Sequence, residues 1–402
     1  MNDLEKQATD LATEIAKELL NRNAGGIKNW FVRRRLQFLP INFNVMLSIN
    51  SEHGLNTGIY FNEIKKHLNR LLDESSLSTF IKIKDYSQAK KFENKKEVET
   101  FRKSKDIDLI IWGDFSHDSL KQGGKPLSVL NLNFTYGHPE TREKRIGKMI
   151  NLDLSSKFAK KNYWQIVDEN SYQDIKVVSN NLFDMCVYIL ALTLKLYGQI
   201  EKSLVLFEIL FSSLEERKDN FKDLLIPHLS NLYSIKIVDA IWYKKKRSQG
   251  LEVCKKMLSL QPNNFFALSN LSLFEYLAGD MASASENVKL LKRLYPNKAV
   301  THFDVAFFKI LNKDYKGAYE EYRKLMNPDY AGQFNPQQVV EFLYIEYTKN
   351  KEPAFLYACG FISYYFGDRT ISKQDLTKFI RLSDRIIYKY MTAKAERLLK
   401  TL

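Results

Sequence analysis

Residues of the same kind recur every 34 positions in the C-terminal half of this 402-residue chain. The sets that share this spacing are Pro262 and Pro296, Leu277 and Leu311, Asp280 and Asp314, the small residues Gly250, Ala284 and Ala318, and the apolar residues Met257, Leu291 and Leu325. Independent matches at one period do not accumulate by chance. A repeat of this length is one supersecondary unit that cannot bury its apolar face alone, so neighbouring units must stack to form a core.

The copy that runs from Phe265 to Pro296 indicates what each unit contains. The tripeptide Ala278-Gly279-Asp280 supplies a turn between two helical stretches. Ser272 and Ala284 provide one small residue in each stretch, where two helices must approach closely. The apolar residues with helical spacing for the interior are Leu268, Leu271, Val288, Leu291 and Leu294. The unit is therefore predicted to be a pair of antiparallel helices.

The period and these residue types resemble the tetratricopeptide repeat. In the next copy the corresponding places are taken by His302, Val305, Ala306, Ala318, Tyr322 and Leu325. The resemblance implies about four to six helix pairs between residues 181 and 402, stacked into a superhelix that acts as a binding scaffold. It is a resemblance of fold, and fold alone does not define function.

In tetratricopeptide repeats the first helix of each pair lines the concave face, and the resemblance carries that role onto twelve positions. They are Leu232, Ile235, Asp239, Trp242, Phe266, Ser269, Leu273, Tyr276, Val300, Phe303, Phe307 and Ile310. The Lys, Asn and Arg set with which chaperone-binding members hold a terminal carboxylate is missing. A groove this aromatic can accept an amphipathic helix from a protein partner, or the chain's own N-terminal helix can fill it. Both alternatives stay open.

The N-terminal part follows a different pattern. Residues 1–40 are predicted as a helical segment, and the order strand, helix, strand, helix, strand, strand predicts an α/β domain over residues 41–138. A polar connector is expected over 139–180, before a repeat domain with a C-terminal capping helix over 181–402. The predicted fold class is α+β, with a small N-terminal α/β domain followed by an all-α, tetratricopeptide-like superhelix.

Two predicted strands carry more detailed expectations. The first strand alternates, with Phe43, Val45, Leu47 and Ile49 on one face and Asn42, Asn44, Met46 and Ser48 on the other. The run Leu109–Trp112 is expected to be buried on both faces. The stretch Asp108–Phe115 (D-L-I-I-W-G-D-F), the glycine-containing loop and the strand that follows resemble the TolB N-terminal and FlgO-like domains. This resemblance implies a recognition or assembly module.

Motifs for catalysis are incomplete. A metal-dependent nuclease core would need Asp106 or Asp108 together with a Glu-x-Lys on the next strand, which instead reads Leu130–Phe134 (L-N-L-N-F). His117 and Asp118 lie near Asp114 in a predicted loop, where such residues commonly form backbone hydrogen bonds. Gly123-Gly124-Lys125 lacks the framework of a phosphate-binding loop, and no GxSxG elbow occurs. We therefore expect no enzymatic activity, no cofactor and no metal.

Charge and cysteine content bound the remaining possibilities. The net charge of +14 divides into a basic surplus of six in residues 1–150 and eight in the remainder, which is typical of a lysine-rich solvated surface. Only Arg33, Arg34 and Arg35 concentrate positive charge beside aromatic residues, as a possible anion contact. The widely spaced Cys186, Cys254 and Cys359 are predicted to be buried thiols. The first residues do not form a signal peptide, so a cytoplasmic location is expected.

These observations predict a non-enzymatic, bacterial-type cytoplasmic adaptor or sensor. Its helical repeats would bind a protein partner, as an amphipathic helix or peptide, and its α/β domain would bind a ligand or partner; self-association is a further possibility. The alternative is a nucleic-acid-associated regulator or a degenerate relative of metal-dependent nucleases, motivated by the net charge. Association with a membrane surface through residues 27–38 is a third, less favoured interpretation.

Overall fold

The protein has an α+β fold, as predicted. The computed structural model describes residues 43–51, 57–84, 92, 94–122, 125–136, 172–196, 198–219, 221–242, 247–326, 330 and 334–402. The chain divides into two compact units, Met1–Leu229 and Ser230–Leu402. The proposed division at residues 40, 138 and 180 stays a prediction.

The first unit contains a four-stranded sheet. Its elements are β1 (Phe43–Ser51), α1 (Thr57–Glu74), β2 (Ile81–Ile83), α2 (Lys95–Ser104), β3 (Leu109–Gln122) and β4 (Lys125–Tyr136), in the order that the sequence predicts. The strand order in the sheet is β2-β1-β3-β4; β1 is parallel to β2 and β3, and β4 is antiparallel to β3. The consecutive strands β3 and β4 therefore form a hairpin.

Strand β1 is buried on both of its faces. Val45 and Leu47 are buried, and so is Met46 of the opposite face, which packs with Val98 of α2 and Ile110 of β3. The alternation of the sequence assigned these residues to two faces, and the structure buries both. The physical reason is the central position of β1 between two parallel neighbours, because parallel sheets are covered on both faces. The predicted two-sided burial of β3 holds at Leu109, Ile110 and Ile111, while Trp112 is partly exposed.

Twelve helices follow in the described part of the chain. They are α3 (Tyr172–Leu196), α4 (Ile200–Glu216), α5 (Lys222–Trp242), α6 (Arg247–Leu260), α7 (Phe265–Ala278), α8 (Met281–Leu294), α9 (Ala299–Leu311), α10 (Tyr315–Lys324), α11 (Pro336–Asn350), α12 (Pro353–Phe366), α13 (Arg369–Leu382) and α14 (Lys389–Leu399). Many of these helices pack against a sequence neighbour, most closely α12 with α13, α3 with α4, α7 with α8, α11 with α12, α6 with α7 and α9 with α10. The predicted paired-helix organisation is confirmed.

Small residues allow the helices of a pair to touch. Ser203 Oγ of α4 donates to the carbonyl oxygen of Ala191 in α3 at 2.7 Å. Ser372 Oγ of α13 donates to the carbonyl oxygen of Gly360 in α12 at 2.8 Å. A Cβ atom added to Gly360 would lie 2.6 Å from Leu376 Cγ. The same contact therefore recurs in two separate pairs, at the positions that correspond to Ser272 and Ala284.

The turns within pairs use a shared capping arrangement. Gly279 ends α7 in the left-handed region with φ of 89°, and the Asp280 carboxylate accepts from the backbone N–H of Ser283 at 3.0 Å to begin α8. Asp314 accepts from Gly317 N–H at 2.9 Å at the start of α10, and Asp368 accepts from Thr370 N–H at the start of α13. In each of these three pairs, an aspartate side chain therefore caps the first turn of the second helix.

The three cysteines are buried free thiols, as predicted. Burial raises the pKa of the Cys186 and Cys254 thiols to about 12, so both are protonated and unreactive at neutral pH.

Candidate functional site

The predicted groove positions lie on one face of α5, α7 and α9, which we call the groove face. Leu232, Phe303, Phe307 and Ile310 are buried there, whereas Ile235, Phe266 and Tyr276 are partly exposed. Trp242 is the last residue of α5, and its side chain lies outside the described part of the structure. The groove face is therefore covered at α9 and more open at α5 and α7.

Helix α11 covers the α9 end of the groove face. The Phe342 ring of α11 lies 5.3 Å from the Phe307 ring, and the Phe334 ring, just before α11, lies 4.4 Å from the Phe303 ring. Helix α12 also reaches this face, with the rings of Phe355 and Phe307 5.6 Å apart. A segment of the same chain thus covers Phe303 and Phe307. The predicted N-terminal helix, considered for that place, falls within residues 1–42, which lie outside the described residues.

A buried carboxylate fixes the other end of α11. Glu346 is fully buried and accepts a 2.5 Å hydrogen bond from the Tyr276 hydroxyl of α7. Lys349 and Asn350 also donate to its two oxygens. Burial and the Glu346 carboxylate raise the pKa of Tyr276 well above its ordinary value. The charge of Glu346 is therefore compensated by one cation and two neutral donors, as a buried carboxylate requires.

The sequence contains a signal for α11 that the repeat analysis missed. Asp314 and Asp368 begin the second helices of two pairs and are 54 positions apart, twenty more than one period. The excess is enough for α11 and its flanking turns. An interrupted period indicates an insertion, although it does not say where the insertion packs.

A polar pair lies between α7 and α9. Ser269 Oγ donates to Asp304 Oδ2 at 2.8 Å. Burial raises the pKa of Asp304 to about 7, because the charged form loses its hydration. Ser269 is one of the twelve predicted groove positions, so the groove face contains a titratable group that the sequence analysis did not identify.

A second buried carboxylate, Glu321, holds α8, α9 and α10 together. His302 Nδ1 lies 2.8 Å from one of its oxygens, and Lys292 and Lys324 donate at 2.8 and 3.0 Å. Burial alone would raise the pKa of Glu321, but these three hydrogen bonds outweigh it and hold the pKa well below its ordinary range. Every polar partner is a protein side chain, so this cluster has a structural explanation.

The α/β region uses its candidate catalytic residue structurally. Asp108 Oδ2 accepts from the backbone N–H of Asn44 at 2.7 Å, and Asp108 N–H donates to the Asn44 carbonyl at 2.9 Å, which joins β1 to β3. Burial raises the pKa of Asp108. The expectation that His117 and Asp118 lie in a loop is wrong, because both belong to β3 and pair with Ser128 and Leu127 of β4. Pairing with β4 extends β3 well beyond the apolar run.

Other candidate features are sparse in the described part of the structure. Arg33, Arg34 and Arg35 lie outside the described residues. Among the residues that are described, no three His, Cys, Asp or Glu side chains cluster as metal ligands. No described helix combines the length and the apolar character needed to cross a bilayer.

Fold and site together define an α+β protein with a small mixed sheet and an array of packed helix pairs. No protein-family model matches the chain, and a search of curated proteins finds no match.

Proposed function

We propose that the protein is a non-enzymatic, bacterial-type cytoplasmic adaptor or sensor whose helix pairs form a tetratricopeptide-like array that binds a helical segment of a partner protein. The observation that carries this proposal is the packing of α11 on the groove face. This face already holds one helix through aromatic contacts and a single charge-compensated carboxylate. An amphipathic helix lying in an apolar groove is a recurrent mode of peptide recognition.

The available part of the groove face is formed by α5 and α7. Ile235, Phe266 and Leu273 are partly exposed there and are not covered as fully as Phe303 and Phe307. By analogy with Phe342 and Glu346 of α11, a partner helix would present an aromatic side chain one turn before an acidic one. In this proposal the α/β region, through its sheet, recognises a second ligand or partner.

The test replaces partly exposed residues of the groove face and leaves its buried residues intact. The variant Phe266→Ala with Leu273→Ser should lose capture of the partner that the wild-type chain retains from cell lysate, because a few apolar anchors dominate such interfaces. Ile345→Ser is a matched control, since Ile345 is an exposed apolar residue on α11. Circular dichroism would verify that both variants fold. Unchanged capture by the groove variant would refute the proposed binding face.

A second candidate function, nucleic-acid association, is favoured by a basic stripe on α13. Lys373 and Arg381 are exposed on this helix, as are Thr370 and Thr377, and Lys378 beside them is partly exposed. Lys378 Nζ also lies 5.6 and 4.9 Å from the ring centroids of Tyr344 and Tyr347 on α11. Cations beside tyrosine rings suit single-stranded nucleic acid. RNA or DNA binding that weakens steeply with salt and with Lys373→Gln would support it; undetectable binding at low salt would exclude it.

A further inference from the structure

Large apolar side chains are exposed at the turn between α13 and α14. We call residues 381–390 the isoleucine corner. Ile386 and Ile387 are 87% and 57% exposed, and Leu382 and Tyr390 on the flanking helices are 45% and 44% exposed. Single exposed apolar residues are ordinary on a protein surface, but four within nine residues of one turn are not.

The corner is a built turn that holds its isoleucines outward. Asp384 Oδ1 accepts from the backbone N–H groups of Ile386 and Ile387, at 2.7 and 3.1 Å. Tyr388 anchors the next position, since its side chain is buried and its hydroxyl donates to Glu352 at 2.6 Å. The backbone is therefore fixed on both sides of the two isoleucines, and their exposure is part of the folded structure.

Positive charge surrounds these apolar side chains. Arg381, Arg385 and Lys389 belong to the corner and are exposed. Arg385 pairs with Glu396 at 3.5 Å, whereas none of the ion pairs among the described residues involves Arg381 or Lys389. Asp384 is the one acidic residue of the corner, and its Oδ1 is used by the turn. The corner thus offers apolar side chains and cations together.

We propose that the isoleucine corner binds the surface of an anionic lipid bilayer. A protein interface of ordinary size buries about 800 Å² on each partner, more than the four side chains of one projecting turn supply. A bilayer needs only an apolar tip that enters the headgroup region and cations that meet anionic lipids. A second copy of the chain fits less well, because both copies would bring the same cations into contact. This proposal is independent of the groove face.

The test measures binding of the full chain to vesicles of phosphatidylcholine with phosphatidylserine, by flotation. Wild type should float with these vesicles and much less with phosphatidylcholine alone. Burial of one isoleucine side chain changes an equilibrium constant by about tenfold or more, so Ile386→Ser with Ile387→Ser should weaken binding by about a hundredfold. Arg381→Gln with Lys389→Gln should weaken it by about thirtyfold, and more salt should reduce wild-type binding.

The matched control is Ile345→Ser, because Ile345 is 54% exposed and lies on α11, outside the corner. This variant should bind vesicles as the wild type does. Three results would overturn the proposal: no binding of the wild type to anionic vesicles, retained binding in the double isoleucine variant, or an equal loss in the control. A dimer seen in sedimentation that the double isoleucine variant dissolves would also overturn it and assign the corner to a second copy.

Discussion

Replacing Asp304 with asparagine should stabilise the protein at neutral and alkaline pH. Burial raises the pKa of Asp304 to about 7, whereas an aspartate in an unfolded chain has a pKa of about 3.9. Between these values the folded protein keeps a proton that the unfolded chain releases, so the residue lowers stability as pH rises. The loss of free energy of unfolding caused by Asp304 reaches its full value above about pH 7. Asparagine removes the charge and keeps an oxygen that can accept from Ser269 Oγ.

The magnitude follows from the pKa difference. At 1.36 kcal/mol per pKa unit, this difference lowers the free energy of unfolding of the wild type by about 4 kcal/mol. Because solvent screens the partly exposed Asp304, we expect Asp304→Asn to raise the free energy of unfolding by about 2 kcal/mol. Urea unfolding of wild type and Asp304→Asn at a series of pH values from 4 to 8 measures it. The gain should be small near pH 4 and grow up to about pH 7. Asp314→Asn is the control, because the pKa of Asp314 is lowered by hydrogen bonds from Lys309 and Gly317. A gain that does not change with pH would refute the reasoning.

Three further substitutions test the packing of the helix array through the free energy of unfolding. Gly250→Ala should destabilise by about 1 to 3 kcal/mol, because the added Cβ would lie 2.5 Å from Phe274 Cζ; no loss would contradict the close approach. Gly279→Ala should cost about 1 kcal/mol through its positive φ, with little effect on the contacts around it. Tyr276→Phe should cost about 1 to 3 kcal/mol, because buried Glu346 loses a donor, whereas exposed Tyr344→Phe should be neutral.

The paired helices could be predicted because their signals are local. Turn residues such as Gly279 and Asp280 act on the backbone beside them, and small residues such as Ser203 and Gly360 act at a single point of contact. Each signal recurs wherever the contact recurs, so a period in the sequence reports a period in the structure. The strand and helix order of the sheet was predictable for a similar reason, since alternation and helical spacing are properties of each segment.

The position of α11 and the burial of β1 depend instead on contacts between residues that are distant in the sequence. The position of α11 is determined by partners such as Phe307 and Tyr276, which lie 35 and 70 residues from Phe342 and Glu346. Alternation in the sequence does not show that the face of β1 with Asn44 is buried, because an asparagine is common at the surface. Its side chain instead donates to the Asp106 carbonyl at 3.0 Å, which satisfies a polar group in a buried strand.

The inserted helix also affects how this part of the chain unfolds. An array of stacked pairs behaves as a chain of nearest neighbours, in which one end can open while the other stays folded. Helix α11 contacts α7, α9 and α12, so opening any one of these helices disrupts contacts of the others. Backbone amides of α7, α9 and α12 should therefore exchange with solvent as one cooperative group, at a free energy above that of α13.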